Sequence, residues 1–96
     1  MRVRYYKFRD EGVPTTLRFG VSEPGEPDEL VEDLFNPTLE KWLNYAEVSR
    51  YVFFERREIV EISLAEAMER TSGHATDPAE GVMPTVPPTF RGPYLD

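Results

Sequence analysis

The sequence predicts an α+β domain with an extended tail, on three observations. Aromatic and β-branched residues gather in short runs near the N-terminus, and apolar residues recur at helical spacing in the middle. Five of the nine prolines fall in residues 74–96. The expected order is ββααβ(β)α: a small three- to four-stranded antiparallel sheet with two or three short helices. Residues 1–73 are expected to form the single domain, and residues 74–96 an extended or disordered Pro-rich tail.

Residues 2–8, Arg-Val-Arg-Tyr-Tyr-Lys-Phe, favour a strand. Residues 15–21 alternate, with Thr15, Leu17, Phe19 and Val21 on one face. The turn-rich stretch from Arg9 to Pro14 joins the two runs into an antiparallel hairpin. Arg2, Arg4, Lys7 and Arg9 interleave with Tyr5, Tyr6 and Phe8. Such charges protect an edge strand from aggregation, a reading preferred here to base stacking on nucleic acid.

After the Ser22–Pro27 loop, Leu30, Val31, Leu34 and Phe35 stand at helical spacing and predict a helix over 28–35. Asn36-Pro37 reads as a second helix start, with Asn as cap and Pro at the first helical position. Leu39, Trp42, Leu43 and Ala46 then make an i, i+3, i+4, i+7 stripe over 37–47. Tyr51-Val-Phe-Phe54 predicts a central strand, apolar on both faces, over 49–55. Ile59–Ile62 is either a further strand or a bent continuation of the same one. Ser63-Leu-Ala-Glu66 matches a capping box, so a helix should run from Leu64 to Thr71 and stop at Gly73. The expected core is Leu17, Phe19, Leu34, Leu39, Trp42, Leu43, Val52, Phe54, Ile62 and Met68.

Composition narrows the function classes. Eleven Lys+Arg against 18 Asp+Glu leave a net charge of −7, which argues against general phosphate-backbone binding. An apolar content of 40% is enough to build a core. The lack of cysteine excludes disulfides, thiol catalysis and thiolate metal sites. The longest apolar run, Tyr51 to Phe54, predicts neither a membrane span nor a signal peptide, and hence a cytoplasmic protein. Arginine supplies all the bases except Lys7 and Lys41, a bias that points to a bacterial or bacteriophage source. There is no Walker loop, dinucleotide fingerprint or His-x-x-x-His pair, so no cofactor, metal or enzymatic activity is expected. His74, the only imidazole, falls in the expected tail, where general-base geometry is hard to hold.

Two features remain as candidate interaction sites. Between Val21 and Leu39 stand Glu23, Glu26, Asp28, Glu29, Glu32 and Asp33, with no base. The plain reading is a solvated face; the functional one makes Glu26, Asp28, Glu29, Glu32 and Asp33 a recognition surface for a basic protein. In the tail, Met83, Val86, Phe90, Tyr94 and Leu95 are spaced along a proline-rich chain, with Phe90 and Tyr94 as aromatic anchors. The expected function is therefore that of a small acidic protein-binding module: a regulator, inhibitor or adaptor. The alternative is an assembly subunit, a homo-oligomer held together through its C-terminal arm.

Overall fold

The computed structural model describes residues 1–83. Strand β1 (Arg4–Phe8) pairs antiparallel with β2 (Thr16–Val21), setting Tyr6 opposite Leu17, so the N-terminal hairpin forms as expected. The next three elements depart from expectation. Residues 28–35 are not a helix: β3 (Leu30–Asn36) pairs with β2. Residues 37–47 are not a helix either, because β4 (Lys41–Asn44) pairs with β3. Residues 49–55 are not a strand: α1 (Glu47–Phe53) is a helix, and a 3₁₀ turn at Arg56–Glu58 separates it from β5 (Ile59–Ile62). Helix α2 (Leu64–Arg70) follows, and β6 (Ala79–Val82) closes the described chain.

The sheet therefore has six strands in the order β5-β1-β2-β3-β4-β6, not three or four, and is mixed, because β6 runs parallel to β4. The observed order is ββββαβαβ. The class remains α+β, with α1 on one face of the sheet and α2 on the other.

That double covering explains the inverted middle of the chain. A strand covered on one face alternates apolar with polar residues, whereas one covered on both is apolar at consecutive positions. In β3, Leu34 joins Tyr6, Leu17, Phe19, Val48 and Ile59 on the α1 face, while its neighbour Phe35 joins Tyr5, Trp42, Ile62, Ala67 and Ala75 on the α2 face. In β4, Trp42 and Leu43 likewise point to opposite faces, and both are buried. Pairs at 34–35 and 42–43 mimic a helical stripe because adjacent positions also share a broad helix face.

Asn36-Pro37 uses capping chemistry for another purpose. The Asn36 Oδ1 accepts from the amides of Thr38 (2.9 Å) and Leu39 (3.0 Å), and Glu40 takes a left-handed conformation at φ 54°. The result is a tight turn between β3 and β4 rather than a helix start. In α1, Val48, Tyr51 and Val52 stand at i, i+3 and i+4 and pack on the sheet. Tertiary packing thus overrides the β-propensity of Tyr51-Val-Phe-Phe54.

The Ser63 cap forms as expected, accepting from the Glu66 amide at 3.1 Å. Gly73, at φ +89°, ends the helix by donating its amide to the Met68 carbonyl. Residues 74–83, placed in the tail by the sequence, are integrated into the fold. Ala75 is fully buried, and its carbonyl accepts from the Tyr5 hydroxyl (3.2 Å) and the Arg18 guanidinium (3.0 Å). The Trp42 indole donates to the His74 carbonyl at 2.8 Å. Residues 71–78 so carry the chain from α2 to the opposite edge of the sheet, where β6 docks.

Candidate docking surface

The acidic residues do not share one helix face. Asp33 lies on the α2 face, buried, with its carboxylate 2.8 Å from the Arg18 Nε across the β2–β3 pair. The Arg18 guanidinium also stacks on the Trp42 ring, 4.2 Å from its centroid. Asp33 is thus withdrawn from any recognition surface, and serves as the counter-charge that allows Arg18 to be buried. Glu32 faces the other way and is half-buried, accepting from the Ser49 hydroxyl of α1 at 2.5 Å. It ties the helix to the sheet. Glu32 and Asp33 stand on opposite faces, as consecutive strand residues must.

Glu26, Asp28 and Glu29 remain exposed, together with Glu23, in the loop between β2 and β3. The loop is internally held. Ser22 Oγ donates to the Pro27 carbonyl (2.6 Å) and accepts from the Glu29 amide (2.5 Å). The Glu23 amide donates to the Glu26 carboxylate at 2.8 Å, and Gly25 supplies the turn at φ +92°. The Met1 amino group sits 2.5 Å from Glu26; this hydrogen bond holds the Glu26 carboxyl below its ordinary value and raises the pKa of the amine.

Beside this loop lies the feature that the sequence did not reveal. Helix α1 has seven residues, about 10 Å of length at ~1.5 Å per residue. The sheet beneath it is six strands wide, about 24 Å at ~4.8 Å per strand spacing. The α1 face is left open at the ends of the two central strands, β2 and β3, beside the loop that joins them. There Val21 and Leu30 are cross-strand partners, 54% and 53% exposed. Phe53 at the end of α1 is 63% exposed and packs edge-on against Phe19 at 5.4 Å. Phe54, the helix C-cap, is 84% exposed. A groove of about 440 Å³ between β2 and α1 is lined by Phe19, Val21, Val52, Phe53, Tyr6 and Arg4.

The N-terminal bases also differ in setting from the expectation. Strand β1 is internal, between β5 and β2, so its charges guard no edge. Arg4 lies 3.7 Å from Glu61, Lys7 donates to Glu66 at 3.0 Å and Arg9 donates to the Arg57 carbonyl at 2.9 Å. Most of the basic and aromatic side chains there are thus engaged within the fold.

His74 stacks on Phe35 and lies between two carboxylates, with Nδ1 2.7 Å from Asp77 and Nε2 3.6 Å from Glu40. The carboxylates approach opposite sides of the ring, so they do not converge on one ion. Among the described residues no three His, Asp or Glu side chains are placed to hold a metal. No helix among them is long and apolar enough to cross a membrane. The expected anchors Phe90 and Tyr94 lie outside the described residues.

Sequence reasoning missed Phe53 and Phe54 because it assigned them to a central strand, and Leu30 because it assigned it to a helix stripe. The available signal was the pairing of an apolar run with the i, i+3, i+4 positions Val48, Tyr51 and Val52, which leaves two phenylalanines in excess of one helix face. Comparison with protein-family models, curated proteins and solved structures finds no match to this chain.

Proposed function

We propose that this chain is a small acidic protein-binding module of the cytoplasm, acting as a regulator, inhibitor or adaptor. One observation supports it: the uncovered part of the α1 face sets Val21, Leu30 and Phe53 beside an acidic loop that contains no base. Apolar anchors with a charged rim are the anatomy of a protein interface, in which burial supplies affinity and charge supplies steering. The partner that fits is a protein presenting apolar side chains among basic residues.

The test uses a partner isolated with the full chain and measures its affinity for variants. Phe53→Asp and Leu30→Asp should each weaken binding by about tenfold or more, since central anchors carry most interface energy. Leu64→Asp, on the exposed side of α2, should leave it unchanged. Replacing Glu23, Glu26, Asp28 and Glu29 by Gln or Asn should slow association and flatten its salt dependence. Full affinity in Phe53→Asp and Leu30→Asp would overturn the reading.

A further inference from the structure

The docking surface fits a protein that presents apolar side chains among basic residues, and this chain carries such a surface itself. Strand order puts the two side by side. Arg4 of β1 pairs with Phe19 of β2, and Val21 of β2 pairs with Leu30 of β3. All four lie on the α1 face, because they stand an even number of residues from Tyr6, Leu17 and Leu34. Base therefore flanks β2 on the β1 side, and the acidic loop leads into β3 on the other.

Two hollows follow this division. The groove of about 440 Å³ has Arg2 and Arg4 on its β1 side, Phe19, Val21 and Phe53 as apolar lining, and Glu23 where it meets the loop. A second hollow of about 330 Å³ is formed by Val21, Ser22, Asp28, Glu29 and Leu30. Val21 and Ser22 belong to both. Arg2, Arg4, Asp28 and Glu29 are all exposed. The patch thus runs from base through apolar side chains to acid.

A two-fold interface requires a surface that complements itself: where one residue meets a second, the second meets the first. A patch of single charge sign fails this condition, because it repels its own copy. This one meets it. We propose that the surface binds a second copy of this chain as a two-fold dimer, with the axis at Val21. Arg2 and Arg4 of each protomer then face Asp28 and Glu29 of the other, and Val21, Leu30 and Phe53 of both fill the centre. The dimer takes its apolar centre from the docking reading above and rests on it; a foreign partner binds in competition with the second copy.

Light scattering by the full chain, from sub-micromolar to high micromolar concentration, should show the mass rising from one chain to two. Phe53→Asp should raise the dimer dissociation constant by about tenfold or more. Two charge-reversed chains make the specific test. Arg2→Glu with Arg4→Glu opposes acid to acid, and Asp28→Arg with Glu29→Arg opposes base to base. Each should raise the dissociation constant by about tenfold or more. Mixed in equal amounts, the two chains should associate again, since both contacts then join opposite charges. Misfolding of either variant gives no such recovery. A monomer mass at every concentration would overturn the dimer, and so would a mixture that stays dissociated. If Phe53→Asp and Leu30→Asp still lose a foreign partner in that case, the docking reading stands alone. Recovered dimers with full foreign-partner affinity in those two variants would uphold the dimer and remove the foreign partner from this surface.

Discussion

Arg18 and Asp33 show how one residue's environment decides its role. Both are buried, and the Arg18 guanidinium meets the Asp33 carboxylate, the Trp42 ring and the Ala75 carbonyl. Asp33→Ala leaves a buried cation without its counter-charge, a loss of about 3–5 kcal/mol. Urea unfolding should register it as a lowered midpoint, and an unchanged midpoint would mean that the pair is solvated. Core residues divide in a telling way. Leu17, Phe19, Leu34, Trp42, Leu43 and Ile62 were legible as core and are buried, whereas Leu39, Phe54 and Met68 are exposed. Leu34→Ala should therefore cost about 2–5 kcal/mol, and Leu39→Ala should stay within about 0.5 kcal/mol of the parent. Trp42 and Leu43 were legible by hydrophobicity alone, because the helix phase that nominated them does not exist.

At the scale of elements, those whose local chemistry admits one outcome could be read directly. The β1–β2 hairpin alternates, and α2 has a cap, a stop and a short amphipathic stretch between them. Ser63→Ala should remove the bond to the Glu66 amide and cost about 1 kcal/mol, measured by thermal unfolding. Elements β3, β4 and α1 could not be read, since their apolar spacing suits either structure and the choice depends on what covers them. Strand β6 carries almost no sequence signal: Ala-Glu-Gly-Val is exposed throughout and docks through its backbone on β4. Gly81 there has φ +117°, with the Leu43 side chain 3.4 Å from where a Cβ would sit. Gly81→Ala should strain this strand and speed hydrogen exchange at the Met83 amide. Slow exchange at that amide would show that β6 tolerates the change.

For the whole molecule, the two covered faces bury several phenols, and this sets a pH response. Burial, the leading cause, pushes the Tyr45 pKa up to about 12, and raises those of Tyr5, Tyr6 and Tyr51. Each folded value lies above the unfolded value of about 10. The stabilisation from burying neutral phenols is therefore complete below about pH 10 and is lost as pH rises through the folded values. Melting temperature should fall between about pH 10 and pH 12 in step with the appearance of tyrosinate absorbance. Full ionisation near pH 10 with an unchanged melting temperature would place these rings in water.

The sequence by itself determined the α+β class, the first hairpin, the capped helix after Ser63 and the concentration of acid between Val21 and Leu39, because each rests on local pattern or on composition. Tertiary structure decided the rest. Covering the sheet on both faces made strands of two apparent helices. Filling its inner positions with other strands made a helix of Tyr51-Val-Phe, and its facing pairs turned Asp33 inward toward Arg18. The same packing left Val21, Leu30 and Phe53 in the open. A seven-residue helix covers only part of its side of the sheet, and no local pattern records that the ends of the central strands β2 and β3 stay bare.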